Sequence, residues 1–211
     1  MKIAIIGSGN VGGTLGRRWA RNGHTVIFSS RHPESDEMKK LLGEAGPSAS
    51  AGSVADAAGK CDVILLATPW PAARDSLAGA GNLTGKILID ALNPLRPDLT
   101  GLEVGTSTSA GEMVAQWASG AKVVKAFNTV GFNIMADPKL SGQGALLFYC
   151  GDDAAAKKVV HDLATELGFD AQDAGPLRQA RLLEPLAMLW ISLAFTPGHG
   201  REFAFRIVKR S

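Results

Sequence analysis

Short β-branched runs alternate along the chain with stretches whose apolar residues recur every three or four positions. This is the pattern of a parallel sheet covered on both faces by helices. Strands are predicted at residues 2–6, 25–29, 63–67, 87–90, 123–128 and 145–150. Helices are predicted at 11–22, 36–45, 54–59, 70–77, 110–119 and 153–167, and the small residues at 47–52 read as a loop. Ser109 and Glu112 form a capping-box pair that marks one helix start. From Pro176 onward the strand signals stop. Leu182, Leu183, Leu186, Leu189, Trp190 and Leu193 make a helical stripe, interrupted early by Pro185. The expected architecture is a Rossmann-type α/β fold, with parallel strands, helices on both faces and a short C-terminal helical appendix. The apolar surface of that appendix is expected to pack on the sheet domain and on a second copy of itself.

With 211 residues, 45% of them hydrophobic, the chain supports one main core rather than two full domains. The expected division is a nucleotide-binding domain over 1–175 and a helical segment over 176–211, the latter for dimerisation and closure of the substrate site. The net charge is +2 and the 22 basic residues are scattered, which leaves no electrostatic footprint for nucleic acid. Cys61 and Cys150 have no short Cys/His spacing that would frame a metal and read as buried thiols in a reducing cytoplasm. The apolar start, Ile3 to Ile6, is too short for a secretory signal. The longest apolar stretch, 182–195, contains Glu184 and Pro185 and falls short of the roughly 20 residues of a membrane span. A cytoplasmic protein with no membrane partner is expected.

The glycine string Gly7-Ser8-Gly9-Asn10-Val11-Gly12 follows the first strand and opens the first helix, the one context in which such a string carries weight. Gly7 permits the tight turn, Gly9 lets the backbone approach a pyrophosphate, and Gly12 lets helix and strand pack closely. The helix amides then face the negative charge. The end of the second strand meets the adenosine ribose, where NAD sites usually place an acid for the 2′-hydroxyl. Here the sequence is Ser29-Ser30-Arg31-His32. With no acid in the tetrapeptide and a guanidinium fork suited to phosphate oxygens, the expected dinucleotide is NADP(H).

Several further motifs coincide with one family. The glycine loop, Ser30-Arg31, Ala67-Thr68-Pro69-Trp70, Ala126-Phe127-Asn128-Thr129, Cys150-Gly151-Asp152-Asp153 and Asp173-Ala174-Gly175-Pro176-Leu177 resemble the deazaflavin-dependent NADP oxidoreductases, over nearly the whole chain. Those enzymes exchange hydride between NADP(H) and coenzyme F420. The same motifs are similar to the oxidoreductase domain of the membrane metalloreductases, which pass electrons from NADPH through flavin to haem and ferric iron. Phe127-Asn128-Thr129 stands where the deazaflavin enzymes carry a histidine and is nearer the metalloreductase version. No membrane domain follows within the sequence, so the resemblance implies the freestanding, soluble branch, typically homodimers whose C-terminal helices complete the interface.

The resemblance implies that Ala67, Thr68, Pro69 and Asn93 join Gly7, Ser8, Gly9, Asn10, Val11, Gly12, Ser29, Ser30 and Arg31 in holding the dinucleotide. Trp70, Asn128 and Thr129 would face the substrate, a deazaflavin (coenzyme F420) or a flavin. Such a transfer needs little acid–base help, because both rings carry the chemistry. No catalytic acid, base or nucleophile is assigned, and no metal site. Lys125, within an apolar strand, reads either as an active group or as a strand-end lysine that snorkels to solvent. Arg178 and Arg181 share a helix face and read as surface charges or as holders of an acidic substrate tail. Two other functions fit the first βαβ unit: an imine or small-carbonyl reductase of the pyrroline-carboxylate reductase type, and a non-catalytic NADPH-binding sensor.

Overall fold

In the computed structural model, which describes residues 1–210, the apolar runs pair side by side in one sheet. The chain runs β1 (Lys2–Ile6), α1 (Asn10–Arg21), β2 (Thr25–Ser29), α2 (Asp36–Ala45), β3 (Ala49–Gly52), α3 (Val54–Lys60) and β4 (Val63–Leu66). A 3₁₀ turn at Trp70–Ala72 leads into α4 (Ala73–Gly79), followed by β5 (Ile87–Asp90), α5 (Ala110–Trp117), β6 (Lys122–Ala126) and α6 (Phe132–Ala136). Then come the small hairpin β7 (Lys139–Leu140) and β8 (Gln143–Gly144), β9 (Leu146–Gly151), α7 (Ala154–Thr165), β10 (Asp170–Asp173) and α8 (Ala180–Ala194).

The eight-stranded sheet has the order β10-β9-β6-β5-β4-β1-β2-β3, and strands β3 through β6 all run parallel. The reversal of direction outward from β1, to β2 on one side and β4 on the other, opens a crevice at the carboxyl edge of the sheet. Alternation along each strand feeds two apolar layers. Ile3 and Ile5 of β1 join Trp19 and Phe28 on one face, whereas Ala4 and Ile6 join Ala57 and Leu77 on the other. Each such aliphatic side chain, fully withdrawn from water, contributes about 1.5–3 kcal/mol.

The sheet departs from the expected one in three places. β9 pairs antiparallel with β6, with Cys150 opposite Lys125, so the last two strands form a reversed unit on an otherwise parallel sheet. The expected loop at 47–52 contains β3, an edge strand of small, half-exposed residues that pairs with β2. β10, Asp-Ala-Gln-Asp, is likewise a polar edge strand without an apolar signature.

The helix predicted from Leu182 begins two residues earlier, at Ala180, and runs through Pro185. Its Leu183 and Ala187 are buried in the second apolar layer, whereas Leu182 and Leu189 are 65% and 50% exposed. Among the described residues, no helix is long and apolar enough to cross a membrane.

Candidate functional site

The carboxyl edge is organised first by the glycine loop. Gly7 has φ +100°, and a Cβ there would lie 2.6 Å from the Ala67 backbone. A Cβ on Gly12 would lie 1.9 Å from the Gly7 oxygen. Both glycines are therefore required by packing alone. Gly9 differs: a Cβ there would meet nothing within 4 Å, so the loop is open at this point. α1 begins at Asn10 with no side-chain cap and no acid in its first turn. By contrast, Ser35, Ser53, Ser109 and Asp153 cap α2, α3, α5 and α7. The first amides of α1 are thus donors left without a side-chain acceptor, beside open space. That arrangement fits a dinucleotide pyrophosphate. Val11, the remaining loop residue, packs against the first apolar layer.

Two grooves flank this loop. One, of about 750 Å³, is lined by Gly7 and Ser8, by Ser29, Ser30 and Arg31 from the end of β2, and by Thr68 and Pro69 from the end of β4. The Ser30 amide donates to Gly52 O (2.9 Å) and its hydroxyl accepts from the His32 amide (2.9 Å), which fixes the turn that carries Arg31. Arg31 itself is exposed and has no ion-pair partner among the described residues. The other groove, of about 550 Å³, lies between α1, α2 and α6 and reaches Ser8, Gly9, Asn10 and Asn133. Ser35 and Glu37, from the start of α2, line both grooves and were not singled out from the sequence. The available signal was a serine followed by two acids ahead of an amphipathic stretch.

The ends of β5 and β6 form the next part of the edge. β6 stops at Ala126 because Phe127 is left-handed, with φ +64°. For a residue with a Cβ this costs roughly 1–2 kcal/mol. Edge-on contacts of its ring with Trp19 (5.8 Å) and Phe169 (5.9 Å) hold it in place. The turn delivers Asn128, whose backbone oxygen accepts from Asn93 Nδ2 (2.8 Å) and whose own Nδ2 donates to Asn93 Oδ1 and Leu183 O (both 3.1 Å). Asn128 and Asn93 therefore brace each other and tie the sheet edge to α8. Asn128 Oδ1 and Thr68 Oγ1 are buried without a hydrogen-bond partner, polar atoms left over at the ends of β6 and β4. Thr129 is buried next to Asn128 in the chain. Ala67 is half-buried, its amide bonded to Ile6 O (2.8 Å). Trp70 lines neither groove and instead stacks on Trp117 of α5, 5.3 Å between ring centres.

Lys125 does not snorkel: it is fully buried, because its partners come to it. Its Nζ lies 2.8 Å from Asp90 Oδ2 and 2.9 Å from Glu184 Oε1, and it also donates to Leu92 O (2.9 Å). Glu184 accepts in turn from the Ala110 and Gly111 amides at the start of α5 (2.9 and 3.0 Å). Burial acts to lower the Lys125 pKa, but Asp90 and Glu184 outweigh it and hold the ammonium above its ordinary value. Arg181 is no free surface charge: its fork meets both oxygens of Glu112 (2.8 and 2.7 Å). Ser109 caps α5 as expected, accepting from the Glu112 amide (3.1 Å) and donating to Glu112 Oε2 (2.8 Å). His24 pairs with Glu166 (2.9 Å), and no cluster of three or more metal-ligating side chains occurs among the described residues.

The family model described as NADP oxidoreductase, coenzyme F420-dependent, matches residues 2–94, which hold the glycine loop, Arg31, Thr68 and Asn93. The F420-dependent NADP reductase of Methanocaldococcus jannaschii is 32% identical, over 92% of either chain. The chain belongs to the F420-dependent NADP reductase family. The crystal structure of a candidate F420-dependent NADP reductase from Arthrobacter superposes with a TM-score of 0.89 at 34% identity, covering 99% of this chain and 100% of that one. The rat metalloreductase STEAP3 is 30% identical over 89% of this chain, which spans only 37% of that protein. A reductive aminase from Aspergillus terreus, at 18% identity and a TM-score of 0.67, shares the fold.

Proposed function

We propose that this member of the family is an NADP(H)-dependent oxidoreductase that exchanges hydride between NADPH and a deazaflavin (coenzyme F420) or flavin-type acceptor. The observation that carries the reading is the end of β2: the stretch Ser29-Ser30-Arg31-His32 contains no acid, and Ser30 and Arg31 line the groove that contains the glycine loop. The glycine-loop amides and the α1 N-terminus would hold the pyrophosphate, and Ser29, Ser30 and Arg31 the 2′-phosphate. Ala67, Thr68, Pro69 and Asn93 would border the nucleotide, and Asn128 and Thr129 the reacting end. When bound, the nicotinamide supplies the hydride, and the residues around it supply position. Full-length similarity to the M. jannaschii reductase supports a deazaflavin as acceptor. The likeness of Phe127-Asn128-Thr129 to the metalloreductase segment supports a flavin as the alternative.

Leu182 and Leu189, seven positions apart on one face of α8 and both exposed, support pairing with a second copy of the chain. A sedimentation run that returns a monomer at micromolar concentration contradicts that pairing. The function is tested by NADPH oxidation against coenzyme F420, FMN and FAD, beside an imine and a keto-acid panel. Turnover with a deazaflavin or flavin is expected. Turnover confined to imines or keto acids, or NADPH binding without turnover of any acceptor, overturns the proposal.

A further inference from the structure

The reading of the cleft as an NADP(H) site, on which this inference rests, takes the end of β2 to be free of acids. Folding brings two acids into the larger groove, Asp75 from α4 and Glu37 from α2, the next helix after β2, and of these only Glu37 also lines the second groove. Glu37, in the first turn of α2, lines both grooves beside the glycine loop together with Ser8, Ser30 and Ser35, and the larger groove also holds Arg31. Its acidic neighbours Glu34 and Asp36 line neither groove. Glu37 and Arg31 are both exposed, and no ion pair joins them among the described residues, so neither charge neutralises the other in place.

We infer that Glu37 is a specificity-determining residue that opposes Arg31, its carboxylate accepting from the 2′-hydroxyl of NADH and repelling the 2′-phosphate of NADPH. The groove therefore admits both dinucleotides, and Glu37 narrows the preference for NADPH that Arg31 sets. An acid at the tip of β2 is the usual way to hold a ribose 2′-hydroxyl. Here the carboxylate comes from α2, too far along the chain to be read from the strand end. A 2′-phosphate carries more negative charge than the hydroxyl it replaces, so a carboxylate in the same water-filled groove discriminates between them by several-fold at low salt.

The test is fluorescence titration of NADPH and NADH into the full chain and its Glu37→Gln and Asp36→Asn variants, at low and high salt. Glu37→Gln should tighten NADPH by roughly 3- to 10-fold and weaken NADH, with the change in ratio shrinking at high salt. Asp36→Asn should move the ratio by less than about 2-fold, because exposed charges outside the grooves are screened. An unchanged ratio in Glu37→Gln, or an equal change in Asp36→Asn, overturns this inference and leaves the NADP(H) reading standing. A wild-type chain that binds neither dinucleotide overturns both.

Discussion

Lys125, inside the sheet, and Glu184, on the C-terminal helix, meet at 2.9 Å with no exposure to solvent. Asp90 completes the cluster, so one ammonium on β6 lies between two carboxylates, on β5 and α8, and the excess negative charge is met by the Ala110 and Gly111 amides that donate to Glu184. Removing one member of a buried pair is far more costly than the net worth of the pair, because the remaining charge has neither water nor partner. Lys125→Met, similar in length, should lower stability by about 3–5 kcal/mol in urea unfolding. A loss below about 1 kcal/mol would mean that the cluster is hydrated in solution.

Asn128 should matter for turnover more than for dinucleotide affinity. Its side chain joins Asn93 to the Leu183 carbonyl and so sets the distance between the strand ends and α8. Asn128→Ala is expected to reduce kcat for hydride exchange by roughly tenfold or more, with the Kd for NADPH changed by less than about threefold. An unchanged kcat would show that this brace has no part in positioning the reacting end.

The fork of Arg181 holds the Glu112 carboxyl below its ordinary value of 4.5, partial burial opposes this, and the Ser109 hydroxyl assists. A depressed folded-state pKa means that the stabilisation is fully present above the ordinary value and is lost as pH falls through the folded one. At pH 6 Glu112→Gln should be less stable than wild type by about 1 kcal/mol, the scale of a well-formed but partly exposed pair. The two proteins should converge as the pH falls below 4.5. Denaturant melts at both pH values check this, and a difference that persists in acid contradicts it.

Both cysteines should be inert in the native protein. Burial pushes the Cys150 thiol up to about 12 and raises Cys61 as well. Thiolate is the reactive form, so a disulfide-exchange reagent should label neither residue at neutral pH until the chain unfolds. Rapid labelling of the folded protein would contradict the burial of both.

The central strands and their helices were legible because a strand covered on both faces reads as a short unbroken apolar run, as at residues 3–6 and 63–66. α2 occupies the predicted 36–45. The Ser109/Glu112 pair located α5 from four residues of sequence. The edges were not legible. β3 and β10 have too little apolar surface to show a period, and they exist because a neighbouring strand offers an open row of hydrogen-bonding groups. The end of β6 was placed two residues late, because a left-handed Phe127 is imposed by Trp19 and Phe169, which lie far away in sequence. The glycine loop and Arg31 were readable as motifs. Glu37 and the partners of Lys125 were not, since each takes its role from a residue that only folding brings near.

On the proposed reading, the loop Gly7–Gly12 holds the pyrophosphate and the Ser30–Arg31 turn the 2′-phosphate of NADP(H). Fluorescence titration of NADPH and NADH into wild type and Arg31→Ala tests it most directly. Arg31→Ala should weaken NADPH by about 1.5–3 kcal/mol, the scale of a charge-assisted hydrogen bond, and leave NADH almost unchanged. Equal losses for both dinucleotides, or no loss for either, would contradict it.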